Sequence, residues 1–299
     1  MLDDIVRGYA VAVAETARDN GHLETVHQEL ATVQSALLTS DALRLALTDP
    51  GLATVERRAI AADLLVDRSL SETADLVGFV VRVVRAGEVP VTISEVDSLV
   101  GSALVTGDTF IDDDAPAGRI GARARIRGYA ERVFQKLPDP RELDEVEDEL
   151  FRFARVLEEN PSLRQVLEDI NFSREARIGV LSDLLGGRVQ QSTLRLCSYV
   201  IRAGRLRNLI GVFDWLVDLV AEERGRRVAE VRSAVALSDE EQQRLGASLS
   251  RLVGRTVEVR VIIDESVIGG VLISTGDLFI DGTVRLRFER LRDVFAQQV

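Results

Sequence analysis

The sequence predicts a mostly helical α+β protein: two tandem bundles of about six helices each, followed by a small α/β domain. Three observations carry that expectation. The N-terminal part of the chain recurs 120 residues later. Apolar residues in both copies return at spacings of three and four, and beyond residue 227 that period gives way to strand-like alternation. The expected boundaries are 1–105 for the first bundle, 106–118 for an acidic linker, 119–226 for the second bundle and 227–299 for the α/β domain.

The repeat is direct. Arg7, Gly8, Tyr9 and Ala10 return as Arg127, Gly128, Tyr129 and Ala130, and Leu23, Val26, Glu29 and Leu30 as Leu143, Val146, Glu149 and Leu150. Between 7–65 and 127–185 there are 19 identities in 59 ungapped positions, where chance in a Leu/Ala-rich chain gives roughly 4 to 5. Further on, Arg85-Ala86-Gly87 matches Arg202-Ala203-Gly204 at a displacement of 117, as do Ile93, Asp97, Leu99 and Val100 with Ile210, Asp214, Leu216 and Val217. An insertion of three residues near 66–80, in a surface loop, is therefore expected.

Within the copies, Val26, Leu30, Val33 and Leu37 form one helical stripe, and Val146, Leu150, Phe153 and Leu157 another. Asn160-Pro161 ends one helix, and Ser162 or Pro161 opens the next. The apolar run Leu194 to Ile201 predicts a helix at a bundle centre. Between the copies, Thr106 to Gly118 carries four aspartates, a proline and two glycines, as linkers do. Thr106 to Asp112 repeats much of Thr275 to Asp281; because an isolated hairpin is marginal in water, the expectation is a vestigial turn there and helix at 93–104.

In the C-terminal third, Val228–Leu237 and Thr256–Ile263 alternate as strands. Ser238 and Glu241 form a capping box for a helix to about Val253, with Gly254 after its end. Val271–Ser274 and Leu278–Ile280 pair across Thr275-Gly276-Asp277, Asp281-Gly282 turns, and Thr283 opens a last helix.

Net charge −12 and a pI near 4.9 argue against nucleic acid and against direct adhesion to anionic membranes. Lys136 is the only lysine, and the single cysteine, Cys197, excludes an intrachain disulfide. The N-terminus has no signal-peptide pattern. The most apolar run, Val77 to Val84, contains Arg82 and falls far below the ~20 residues a bilayer core needs, so no membrane insertion is expected.

The C-terminal run Ala229 to Ser238, with Gly254 to Val257, Asp264 to Gly270, Gly276-Asp277 and Ile280-Asp281-Gly282, resembles the delta subunit family of F-type ATP synthases, the oligomycin-sensitivity-conferring proteins. Leu286, Leu291 and Arg292 of the closing segment belong to the same pattern. The second copy is similar to that family's helical domain through Tyr129-Ala130, Leu143 to Leu150, Glu159-Asn160-Pro161 and Arg202 to Arg205. The doubled bundle is like the actinobacterial form. The resemblance implies a non-catalytic stator subunit at the cytoplasmic face of the bacterial plasma membrane, one copy per complex. Its helical part would take N-terminal tails of alpha subunits, and its C-terminal domain would grip a b-type stalk. An interaction scaffold outside ATP synthase is the alternative.

No catalytic, cofactor or metal site is expected: P-loop and G-x-S-x-G patterns are absent, and His22 and His27 lie five apart, off one helix face. Cys197 is expected in the core, as is Trp215, and Asp144 to Glu149 on a solvated helix face. The resemblance places the tail groove between the first and fifth helices of each bundle, roughly 5–18 with 74–86 and 121–136 with 191–203. Its candidate residues are Tyr9, Ala10, Tyr129, Ala130, Val133, Val200 and Arg202. Glu88 stands opposite Arg205 at displacement 117, which would leave the second bundle the more faithful copy. For the stalk-binding domain the signature is Ile268, Gly269, Gly270, Gly276, Asp277, Asp281 and Gly282, with tight turns explaining the glycines.

Overall fold

The computed structural model describes residues 2–106, 119–137, 139–169, 171–203, 208–226, 228–253, 257–264, 267–275 and 278–286. The chain is mostly helical, with a small C-terminal mixed sheet. Helices α1 (Asp4–Asp19), α2 (Leu23–Thr39), α3 (Asp41–Thr48), α4 (Thr54–Leu65), α5 (Ser71–Val83) and α6 (Val89–Thr106) come first. They are followed by α7 (Arg119–Gln135), α8 (Pro140–Glu159), α9 (Pro161–Glu168), α10 (Arg174–Leu185), α11 (Gln191–Arg202) and α12 (Leu209–Arg226). Then come β1 (Val228–Ser233), α13 (Asp239–Val253), β2 (Glu258–Ile263), β3 (Val271–Thr275) and β4 (Leu278–Asp281).

The last four helices of the second series start 120 residues after those of the first: α3 and α9 at 41 and 161, α4 and α10 at 54 and 174, α5 and α11 at 71 and 191, α6 and α12 at 89 and 209. The turn between the fourth and fifth helices carries positive φ at Asp67 in one copy and at Gly187 in the other. Buried Thr92, Ile93, Val96, Leu99 and Val100 correspond, 120 residues on, to buried Val212, Phe213, Leu216, Leu219 and Val220. The three-residue insertion expected near 66–80 is therefore absent, and the matches at displacement 117 are coincidental. Burial decides the register, because a slip of three residues turns an inward stripe partly outward. In the true register Glu88 stands opposite Asn208, and Arg205 opposite Arg85. The contrast expected between Glu88 and Arg205 dissolves.

Local chemistry explains the helix ends. The Asp3 carboxylate accepts from the Ile5 N–H, Ser40 from Leu43, and Ser173 from Ala176, each filling an orphan donor of a first turn. Pro161 stands at the first position of α9, after Asn160. The predicted stripes point inward, with Val26, Leu30, Val33 and Leu37 buried in α2 and Val146, Leu150, Phe153 and Leu157 in α8. One stretch, Ala86–Thr106, is long and apolar enough to cross a membrane by length and composition, which the expectation based on 77–84 passed over. It lies along α2 by its buried stripe, with Gln34 donating to Ser94 at 2.8 Å and His27 Nδ1 at 2.8 Å from Asp97.

Packing divides the chain into two units, 1–136 with 148–216, and 137–147 with 217–299. In the second unit the strand order is β2-β1-β3-β4. β1 and β2 run parallel, as a helical crossover through α13 requires, and β1–β3 and β3–β4 are antiparallel. Ala229, Val231 and Ile273 of the sheet pack with Leu249 of α13 and Val257 as the core. The capping box forms: the Glu241 N–H donates to Ser238 Oγ, and the Ser238 N–H donates back to the Glu241 carboxylate at 2.8 Å. β1 stops at Ser233, short of the expected Leu237, and the Thr283 hydroxyl accepts from the Leu286 N–H at the start of the last helix. Gly254 and the linker from 107 to 118, with its expected vestigial turn, lie outside the described residues.

Candidate functional site

The first unit has one dominant feature, the crossing of α1 on α7. Both helices carry the repeated Arg-Gly-Tyr-Ala motif, and the glycines make the crossing. A Cβ on Gly8 would stand 1.9 Å from the Arg125 carbonyl oxygen, and one on Gly128 would stand 1.9 Å from that of Ile5. Ile5 and Arg125 are themselves 120 apart, so the contact is two-fold symmetric between the repeats. Only a residue without a side chain lets each backbone lie on the other.

The tyrosines follow the same symmetry. Tyr9 stacks on Phe79 of α5 with centroids 3.8 Å apart, and Tyr129 stacks on Tyr199 of α11 at 3.9 Å. Each hydroxyl then crosses the seam: Tyr9 donates to Gln135 Oε1 at 2.6 Å and Tyr129 to Glu15 Oε2 at 2.5 Å. Burial drives both phenols above their ordinary range, and the neighbouring Glu15 carboxylate adds to this at Tyr129. Burial likewise raises the Glu15 carboxyl, opposed by the hydrogen bond from Tyr129 and by Arg202 and Arg195.

Ion pairs complete the seam. Arg125 Nε donates to Asp4 at 2.6 Å, Arg195 to Asp19 at 2.6 Å, and Arg82 pairs with Glu131. Asp75 receives both Arg132, 2.8 Å away and 1 % exposed, and Lys136 at 3.0 Å. The Arg132 guanidinium also lies 5.9 Å from the centre of the Tyr9 ring.

The expected tail groove is thus filled from within. Tyr9, Ala10, Tyr129, Ala130 and Val200 are all buried, because α7 covers the α1/α5 face and α1 covers the α7/α11 face. Val133 and Arg202 are only partly buried. Their burial has a plain cause: a face apolar enough to take an amphipathic helix takes the nearest one, which here belongs to the other repeat.

A second pair of residues acquires its meaning only in the structure. The Glu29 carboxylate of α2 accepts from the Leu70 N–H at 3.1 Å and from the Thr73 hydroxyl at 2.5 Å, and so caps α5. Glu149 of α8 does the same for Gln190 and Thr193 at the start of α11. Neither Leu70 nor Gln190 caps its own helix, so a neighbouring carboxylate supplies the negative charge that a helix N-terminus favours. The recurrence of Glu29 as Glu149 was the available signal. Glu149 is therefore no solvated residue, as its acidic stretch predicted, whereas Asp144 and Glu147 of that stretch meet Arg224. Glu149→Ala should lower stability by about 2 kcal/mol, the scale of lost charge-assisted bonds. Glu29→Ala should behave similarly, and the exposed Glu159→Ala should be near neutral in urea unfolding.

Cys197 is fully buried in α11 and burial pushes its thiol well up, as a core residue requires. Trp215 is partly buried, with the Arg123 guanidinium 5.7 Å from its ring. His22 and His27 are half-exposed, and among the described residues no group of three His, Cys, Asp or Glu is placed to hold a metal.

In the second unit, Gly270 has φ +79° and a Cβ there would meet the Gly282 carbonyl oxygen at 2.3 Å. The Gly282 N–H donates to the Val271 carbonyl, the Val284 N–H to that of Gly269, and the Thr283 N–H to Asp281. Gly269, Gly270, Asp281 and Gly282 are thereby brought together to tie the end of the hairpin to the start of the last helix. Ile268 stands apart, 75 % exposed, and Phe279 of β4 is 65 % exposed. Gly276 and Asp277 lie outside the described residues.

Comparison with known proteins follows the same lines. The profile of the ATP synthase delta (OSCP) subunit family matches residues 5–106 and 126–295. The chain is 35% identical to "ATP synthase subunit delta" of Streptomyces griseus over 262 residues, 88% of this chain and 86% of that one. It is 34% identical to the protein of that name from Parafrankia over 89% of this chain and 96% of that one. With the Salinispora arenicola protein it shares 32% over 99% and 94%.

Proposed function

This chain belongs to the ATP synthase delta (OSCP) subunit family, and we propose from that premise that it serves as a stator adaptor of an F-type ATP synthase. It is a non-catalytic subunit. It links the catalytic head to the membrane-anchored stalk as a peripheral component at the cytoplasmic face, one copy per complex. The two helical repeats, 1–105 and 119–226, act as six-helix bundles joined by the 106–118 linker and hold the head through alpha-subunit tails. With the seam closed, such a tail meets the helical part outside it, at a rim that includes Val133 and Arg202. The α/β domain, 227–299, holds the b-type stalk.

The observation that carries this reading is the seam. The polar groups gathered in the first unit hold helix to helix, as Arg132 and Lys136 do with Asp75. A part that resists torque needs such cross-bracing.

Co-purification tests it. A tagged full-length chain should bring down alpha and b subunits together; recovery of neither would refute the assignment. Ile268→Asp with Phe279→Asp should cut b recovery by about tenfold, as loss of an apolar anchor does, and leave alpha recovery unchanged. Equal loss of both subunits would place the stalk contact elsewhere.

A further inference from the structure

The seam is two-fold symmetric in backbone but not in charge. Across it the first repeat offers Asp4, Glu15, Asp19 and Asp75, and the second offers Arg125, Arg132, Lys136 and Arg195; Arg82 with Glu131 is a pair of reverse sense. At equivalent positions most of these charges invert or vanish; Arg82 recurs as Arg202, and Asp19 recurs as Asp139 but beyond the end of α7. Arg195 is the counterpart of Asp75, whereas Arg132 and Lys136 correspond to Ala12 and Thr16.

We propose that this pattern makes the seam a heterotypic lock, in which each repeat's first-and-fifth-helix face accepts only the unlike repeat. The two homotypic alternatives follow by exchanging counterparts. If two first repeats met, Asp19 would find Asp75 in the place of Arg195, twice over. If two second repeats met, Arg132 and Lys136 would find Arg195 in the place of Asp75. Like charges repel at both places, with little screening at the buried Arg132 and with more at the more exposed Asp19 and Arg195, where salt weakens the effect. The symmetric parts, Gly8 with Gly128 and the stacked tyrosines, would tolerate either pairing, so charge alone discriminates. The α1/α5 face therefore fits a basic helix with glycine at the crossing, and the α7/α11 face fits an acidic one. The inference concerns the chain's own repeats and stands whether or not the stator reading holds.

The test uses the full chain and three variants, Asp19→Arg, Arg195→Asp and the two together, followed by hydrogen exchange of α1 and α7. Each single reversal should lower protection of these helices by about fivefold, twice the usual worth of such a pair when attraction becomes repulsion. Sedimentation should also show concentration-dependent dimers of the single variants. The guanidinium introduced by Asp19→Arg would suit Asp75 of a second copy, and the carboxylate introduced by Arg195→Asp would suit Arg132 of a second copy. The double variant should recover the protection and sedimentation of the natural chain. Protection of α2 and α8, inside their own repeats, should not change in any variant, which separates seam opening from misfolding. A double variant whose loss equals the sum of the singles overturns the lock, as do single variants that leave the seam closed.

Discussion

Gly8→Ala and Gly128→Ala should each destabilise the protein by about 2 kcal/mol in urea unfolding, near the upper half of overpacking costs. The physical reason is the 1.9 Å approach of each added Cβ to a main-chain carbonyl oxygen of the facing helix. Side chains can rotate away from an intruder, but a helix backbone can only translate, and separation of α1 from α7 would open the Tyr9 and Tyr129 hydrogen bonds as well. The cost emerges despite a gain of up to ~1 kcal/mol from replacing glycine in a helix. The control is Gly179 in α10, where nothing lies within 4 Å of an added Cβ. Gly179→Ala should therefore be neutral or stabilising by up to ~1 kcal/mol. Because one displaced helix relieves both crossings, the Gly8/Gly128 double variant should lose less than the sum of the singles. If Gly128→Ala matched Gly179→Ala in stability, the crossing as described would be wrong.

Asp75→Asn should cost more, about 3 kcal/mol, the lower end of the penalty for breaking a buried ion pair. Arg132 is 1 % exposed, and its Nε and Nη2 have no hydrogen-bond partner, so the Asp75 carboxylate bonded to Nη1 is its main compensation. Removing that charge strands a guanidinium out of water. Removing the guanidinium itself is gentler, since Arg132→Met keeps apolar volume against Tyr9 and leaves Asp75, 31 % exposed, still paired with Lys136. The ordering is the test: Arg132→Met should be the more stable of the two by denaturant midpoint. A milder Asp75→Asn would show that the buried guanidinium has another source of compensation.

Much of the architecture was legible beforehand because it is local. The stripes of α2 and α8, the Pro161 start, the Ser238–Glu241 box and the hairpin across 275–278 all follow from residues within a few positions of one another. The repeat register failed beyond residue 65 for an equally physical reason. Short identities such as Arg-Ala-Gly can recur by chance, whereas burial at 92–100 and 212–220 reports the packed face itself. Of the groove candidates, Tyr9, Ala10, Tyr129, Ala130 and Val200 are buried, which the sequence did not reveal. Periodicity shows that a face is apolar and says nothing of what covers it.

The sequence by itself determined the helices, the duplication, the sheet-bearing C-terminal part and the family resemblance, since each is written in short-range pattern or in ordered motifs. Tertiary structure alone decided that α1 and α7 close on each other through Gly8 and Gly128, that Glu29 and Glu149 cap helices some forty residues away, and that Asp75 holds Arg132. These are pairings between distant segments. Their energies depend on which surfaces meet, and that choice is made only when the whole chain packs.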